Sequence, residues 1–331
     1  MDTILAGDIG GTNTRLALYD PENLREAHSQ RTYRSGDYES LLAIVNVFLD
    51  ECGGEAASAR LARAGFGVAG PVDGSIVRLT NLPWVIDAER IRERLGLERV
   101  IFVNDFAANC LAVPRLTCED LHPIGEGGPP LAGHPIAVLG AGTGLGEGFL
   151  IHDGREYVVV PSEGGHTDFA PRNPLEIRLL EYLSTRFSRV SYERVLSGKG
   201  LVNLYEFFRD RERMAESEAV REEMRREDPA AVISRHALAR GDPLCERALE
   251  LFCTVYGAEA GNLALKVLAR GGVYLAGGIA ARIIPRLEEG GFRHGFEQKG
   301  RYTPFLQGVP SFVIVHPHPG LMGAAIAAAR Q

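Results

Sequence analysis

The feature that most constrains this chain is a pattern that occurs twice: an apolar strand, a glycine-rich turn, and a second apolar strand. The first copy pairs residues 3–6 with 14–19 across Gly7-Asp8-Ile9-Gly10-Gly11-Thr12-Asn13. The second pairs residues 136–139 with 149–152 across Gly140-Ala141-Gly142-Thr143-Gly144-Leu145-Gly146. Each pattern predicts a β-hairpin that opens a sheet. The chain has 331 residues; at about 150 per domain this predicts two domains with a cleft between them. The Gly- and Pro-rich stretch 125–135 marks the boundary.

Between the hairpins, residues 41–49 and 88–95 read as helices, the second capped by Asp87 and ended by Gly96. Residues 65–69 and 100–103 read as strands, and Asp73-Gly74 as a hairpin turn. Residues 174–268 are mostly helical in pattern, and the charge run 209–228 within them reads as a solvated face. A strand at 273–276 ends in Gly277-Gly278, and a last strand (312–315) and small-residue helix (320–330) are expected to return to the first domain.

Strand-ending glycines let a backbone approach an anion with no Cβ in the way. Two other nucleotide motifs fail. Gly198-Lys199 is followed by Gly200, and Glu193 stands where the first P-loop glycine belongs. After Gly140-Ala141-Gly142, Leu145 occupies the third dinucleotide-site glycine and a strand follows where a helix should. Asn104-Asp105 sits at the carboxyl end of a buried strand, where ligands bind in open α/β sheets. From the residues alone it either caps the next helix or supplies a general base with an amide beside it. Glu163 and Glu193 read equally as surface carboxylates, and His166 as a loop histidine or half of a metal site. Gly277-Gly278 reads also as a plain strand-to-helix turn.

Charge and cysteine content narrow the class. With 36 basic and 43 acidic residues the formal net charge is −7, which offers no positive field for a nucleic-acid backbone. Five cysteines with no C-x-x-C pair fit a reducing cytoplasm. The N-terminal residues lack a basic region and a long apolar run, so neither a signal peptide nor a membrane span is expected there.

Six segments in order resemble the bacterial glucokinases, the ATP-dependent, zinc-free branch of the hexokinase, actin and Hsp70 ATPase superfamily. They are the hairpin through Asp8, Val103-Asn104-Asp105-Phe106, the turn 140–146, Glu163-Gly164-Gly165-His166-Thr167-Asp168-Phe169, Glu193-Arg194-Val195-Leu196-Ser197-Gly198, and Leu275-Ala276-Gly277-Gly278-Ile279. The resemblance implies an α/β, two-domain actin-like ATPase (ribonuclease H-like) fold with a cleft. Its smaller domain would be residues 1–115 plus 307–331 and its larger one 116–306.

It implies transfer of the γ-phosphoryl group of MgATP to the 6-hydroxyl of D-glucose. Asp105 would be the catalytic base. Asn104, Asp105, Glu163, His166 and Glu193 would bind the sugar, and binding would draw the domains together. Gly7, Asp8, Ile9, Gly10, Gly11, Thr12, Asn13, Gly142, Thr143, Gly277 and Gly278 would bind the nucleotide. The second turn carries no aspartate, which leaves Asp8 to hold Mg²⁺ through water. A cytoplasmic homodimer is implied as well. The other readings are a kinase of another hexose, a polyphosphate-dependent glucokinase, a sugar-sensing regulator without turnover, and an Hsp70-type chaperone. The last two are expected to need a DNA-binding extension or a peptide-binding domain, and no segment here reads as either.

Overall fold

A computed structural model describes residues 2–53, 60–70, 72–79 and 82–330. They form two compact units, one of the residues up to Thr117 with those from His316 onward, the other Cys118–Val315.

In the first unit the strands are β1 (Asp2–Ile9), β2 (Asn13–Asp20), β3 (Asn23–Arg34), β4 (Arg60–Val68), β5 (Ile76–Arg78), β6 (Val85–Asp87) and β7 (Arg99–Asn104). The main sheet has the order β3-β2-β1-β4-β7, and β5 pairs with β6 alone. β1, β2 and β3 form an antiparallel meander, while β4 and then β7 add in parallel. Alternation along β1 sends Leu5 and Ile9 to one face, with Ile44, Val45 and Phe48 of helix Leu41–Cys52, and Ile4 and Ala6 to the other, with Leu321, Ala324 and Ala328 of helix Pro319–Ala329. With both faces covered, the strand reads as a nearly continuous apolar run. The last helix packs by direct backbone approach: a Cβ on Gly65 of β4 would lie 2.0 Å from the Ala324 carbonyl oxygen, and one on Gly323 would lie 1.7 Å from that of Ala108. This wedges helix Asp105–Ala112 in place at the end of β7.

The second unit repeats the plan. Its strands are β8 (Leu121–Pro123), β9 (Ile136–Ala141), β10 (Leu145–His152), β11 (Tyr157–Ser162), β12 (Val273–Ala276) and β13 (Ser311–Ile314), ordered β11-β10-β9-β12-β13-β8. Again three antiparallel strands are followed by two parallel ones, here with β8 added antiparallel. Helix Pro243–Val267 runs through the core, where the buried Tyr256 hydroxyl donates to the Leu139 carbonyl at 3.2 Å and accepts from the Ala141 amide at 3.3 Å. The charge run is laced with exposed pairs such as Arg221–Glu218 and Arg226–Glu222, each worth little.

Three expectations need correction. Gly7, Asp8 and Ile9 belong to β1 rather than to the turn, because they stay paired with β2 and β4. Asp73-Gly74 does not join a hairpin: the antiparallel pair in that region is β5 with β6. The last strand does not return with the last helix. β13 pairs with β12 and β8 in the second sheet, and buried Arg293 ties it there through the Val309 carbonyl (3.1 Å) and the Ser311 hydroxyl (3.2 Å). Residues 307–315 therefore lie in the second unit, and only the residues from His316 onward join the first. Among the described residues no helix is long and apolar enough to cross a membrane.

Candidate active site

The first unit gathers Asp8, the turn 10–12 and Asn104-Asp105 at the carboxyl ends of its parallel strands. The Gly10 amide donates to the Asn13 carbonyl at 2.9 Å, which closes the turn and leaves Thr12 exposed. Gly7 has a packing reason to be glycine: a Cβ there would lie 2.5 Å from the Phe66 ring. Asp8 accepts from Arg15 at 3.2 Å, and its side chain stays 31% exposed. Burial raises its pKa, and Arg15 partly offsets the rise.

Asn104 is the helix cap. Its Oδ1 accepts from the Phe106 and Ala107 amides (2.9 and 3.1 Å), and its Nδ2 donates to the Gly70 carbonyl at 3.1 Å. The capping and the sugar-binding readings are compatible, because these bonds fix the amide and leave one of its N–H donors. Asp105 opens the helix, with Oδ1 accepting from the Phe106 amide at 2.8 Å. Burial raises its pKa, the helix amide lowers it and the negative charge of Asp8 adds to the rise. A carboxylate lifted in this way is a better proton acceptor near neutrality.

The second unit brings Glu163, His166 and Glu193 together with the second turn. The 3-10 turn Gly164–His166 presents Glu163 and His166 outward, with His166 Nε2 4.0 Å from Glu163 Oε2. Its neighbour is the 3-10 turn Tyr192–Arg194, whose Tyr192 amide donates to the Thr167 carbonyl at 3.0 Å. Glu193 Oε2 accepts from the Leu145 amide at 3.0 Å, so this carboxylate is anchored on the glycine turn itself. The Gly198 amide donates to the Gly142 carbonyl at 2.9 Å, which docks the start of helix Gly198–Asp210 on the same turn.

Gly142, Thr143 and Gly278 also share a cavity of ≈1130 Å³ with Lys199, Ile279 and Arg282. This is ample for a nucleotide, since ligand pockets run to about 1,000 Å³. Gly277 shapes it: its φ is +86°, and a Cβ there would lie 2.5 Å from the Ala141 carbonyl oxygen. Gly278 would meet nothing within 4 Å and faces open space. In the sequence Lys199 was weighed only as a P-loop lysine and set aside, and no role fell to Arg282 in the cavity wall or to Arg15 and His318 beside Asp8. Their signal was only adjacency to the turns.

The glucokinase family model matches residues 5–331. The glucokinase of Nostoc punctiforme is 45% identical, with both chains covered in full. Among solved structures, a glucokinase from an Antarctic psychrotroph is similar at a TM-score of 0.86 and 32% identity, covering 99% of each chain. A ROK-family glucokinase from Streptomyces griseus, solved with glucose and AMPPNP, shares the fold at a TM-score of 0.65 and 20% identity, covering 98% of this chain and 99% of that one. Two sheets of one plan, each with a glycine turn, have the two-domain actin-like ATPase fold, and the glucokinase matches over the whole chain define the class as a hexose kinase. The chain belongs to the glucokinase family.

Proposed function

We propose that this chain transfers the γ-phosphoryl group of ATP to the 6-hydroxyl of D-glucose, giving glucose 6-phosphate and ADP, with Asp105 as general base. The observation that carries this reading is the setting of Asp105: fixed at a helix start by the Phe106 amide and raised in pKa by burial. The 6-hydroxyl gives up its proton to the Asp105 carboxylate as its oxygen bonds to phosphorus, and the phosphorus–oxygen bond to ADP breaks in line. Asn104 orients the sugar through its remaining N–H. Glu163, His166 and Glu193 accept from or donate to the ring hydroxyls, and the anchoring of Glu193 on the Leu145 amide fixes where it does so.

The nucleotide is held by Gly142, Thr143 and Gly278, which line the cavity of the second unit, and by Gly277 beside Gly278. Gly7 to Asn13 supply the other phosphate-facing backbone, with Gly10, Gly11 and Thr12 at the exposed tip. Asp8 fits Mg²⁺: it is a hard-oxygen, partly exposed carboxylate beside that tip, and Mg²⁺ keeps most of its waters and uses few protein ligands. When bound, the ion neutralises phosphate charge. The setting is the cytoplasm, which suits the five free cysteines, and the protein is a homodimer, for which the exposed Val158 and Val160 of edge strand β11 offer apolar surface.

ADP release measured with ATP and a panel of hexoses tests the reading. Stoichiometric ADP and glucose 6-phosphate with glucose, and slower release with its epimers, is the expected result. ADP release that ignores every sugar would overturn it, and turnover with polyphosphate alone would reassign the donor.

A further inference from the structure

Beneath the two sugar-binding turns of the second unit lie two buried acids with no part in the chemistry above. Glu147 of β10 is 1% exposed and Glu259 of helix Pro243–Val267 is 0% exposed. Neither oxygen of Glu147 has a hydrogen-bond partner among the described residues. Such a group is costly to bury as an anion, because nothing replaces its lost water.

Each acid touches one sugar-binding turn. Glu147 lies directly under the turn Gly164–His166: a Cβ on Gly164 would fall 1.9 Å from Glu147 Oε2, so a larger residue there would have to push the Glu147 carboxyl aside. Glu259 supports the other turn. Its Oε2 accepts from Asn262 at 2.8 Å, and the same amide nitrogen donates to the Tyr192 hydroxyl at 3.2 Å, next to Glu193. Lys266 stands 3.6 Å from Glu259 Oε1. Lys299 donates to the Ala258 carbonyl at 2.9 Å and to Asn262 Oδ1.

We propose that Glu147 and Glu259 are a positioning pair for sugar binding, Glu259 ionised and Glu147 held as the neutral acid, and that ionising Glu147 displaces the turn that carries Glu163 and His166. The division follows from the partners. Glu259 has an amide donor and a cation that partly offset the rise burial gives it. Glu147 has no hydrogen-bond donor among the described residues, faces the Glu259 charge and feels Lys266 least of these effects. Burial first and Glu259 second push Glu147 up to about 8. The groups facing the pair are Tyr256, Glu259 and Lys266 on the long helix, Ser162 on β11, Tyr192 beside Glu193, and Lys299 behind Asn262. Burial lowers Lys299 to about 8 as well, so the test must separate the two. The inference rests on Glu163 and His166 being sugar ligands.

Glucose binding to the full chain is measured by calorimetry from pH 6.5 to 9.5, with AMPPNP binding in parallel. In the wild type, glucose affinity falls about tenfold per pH unit once Glu147 ionises, while AMPPNP affinity changes less than about twofold. Glu147→Gln mimics the neutral acid. It keeps wild-type glucose affinity at pH 7 and removes the alkaline loss. If the loss persists in Glu147→Gln, Lys299 or another group causes it and the proposal fails. It fails equally if Glu147→Gln weakens glucose at pH 7 with AMPPNP binding intact, since Glu147 would then act as an anion.

A second route needs no titration. Gly164→Ala weakens glucose at neutral pH, and adding Glu147→Ala restores part of the affinity by making room for the new Cβ. Unchanged glucose binding in Gly164→Ala overturns the contact argument. Glu163→Ala serves as the separate check on the underlying reading: if it leaves glucose affinity unchanged, the sugar-ligand assignment is what has failed.

Discussion

The two glycine turns share a backbone plan and differ in the acid that stands beside each. In β1 the next-to-last residue is Asp8, whose carboxylate faces Arg15 and the exposed tip. In β9 the same place is Gly140, and no side chain of that turn is charged. The carboxylate associated with the second turn is instead Glu193, brought in from another segment and bonded to the Leu145 amide. On the proposed reading, the acid beside the first turn would serve metal and phosphate. On the same reading, the second would combine bare backbone for the nucleotide with an anchored carboxylate for the sugar. A duplicated plan need not duplicate a site: what each copy does is set by the few side chains standing at its strand ends.

The largest expected effect is at Asp105, the general base proposed for the first unit. Asp105→Asn keeps size and hydrogen bonding and loses basicity, so kcat falls about 10²- to 10⁴-fold, roughly 3 to 5 kcal/mol of barrier. Glucose affinity should stay within about threefold, since binding needs no proton transfer. A kcat within threefold of wild type would reduce Asp105 to a helix-start residue.

The second turn is expected to break through its backbone instead. Gly277→Ala forces a non-glycine residue to φ +86° and drives a Cβ toward the Ala141 carbonyl, a loss of about 1–3 kcal/mol of stability from the backbone alone. Gly278→Ala has open space and should unfold like wild type in urea while weakening nucleotide binding. Equal loss of stability in both variants would mean that the strain is not local to Gly277.

Taken per pH unit, the smallest effect is a slope. Because the Glu147 pKa is raised, the folded state holds its proton more tightly than the unfolded chain does. The stability this confers is complete below the ordinary glutamate value of 4.5 and is lost as pH rises toward about 8. Unfolding free energy should fall across that window by up to about 1.4 kcal/mol per pH unit from this group. Glu147→Gln should remove that component. Parallel pH profiles for the two proteins would contradict a neutral Glu147.

The sequence made the two glycine hairpins and the capped helix at 88–95 legible, because glycines and caps act within a few residues. It drew the second turn too long: Gly140-Ala141 and Leu145-Gly146 are paired strand residues, and only 142–144 turn. It did not reveal β3, whose run Asn23 to Arg34 is mostly polar and exposed at a sheet edge, with no alternation to read. It ended β1 too early because the reason for Gly7 is Phe66, a partner distant in sequence. It sent β13 to the wrong unit because its anchors, Val273 and Arg293, are also remote.

The candidate site residues were legible because they stand at strand ends and in turns. The buried pair was not read, although a signal was present. Glu147 stands between Gly146 and Gly148 in an apolar strand, and Glu259 in the run Gly257-Ala258-Glu259-Ala260-Gly261 of an apolar helix. A lone acid among small residues has no surface reason to be there.

The central claim is that the acid of the first turn serves the nucleotide and the carboxylate anchored on the second serves the sugar. Calorimetric titration of Asp8→Ala and Glu193→Gln, each with glucose and with AMPPNP plus Mg²⁺, tests it most directly. The account expects a double dissociation: Asp8→Ala loses most of its AMPPNP affinity and keeps glucose within about twofold, while Glu193→Gln weakens glucose about tenfold and keeps AMPPNP, consistent with loss of a charged hydrogen bond. If Asp8→Ala instead loses glucose alone, or if both variants lose the same ligand, the division between the two turns is wrong.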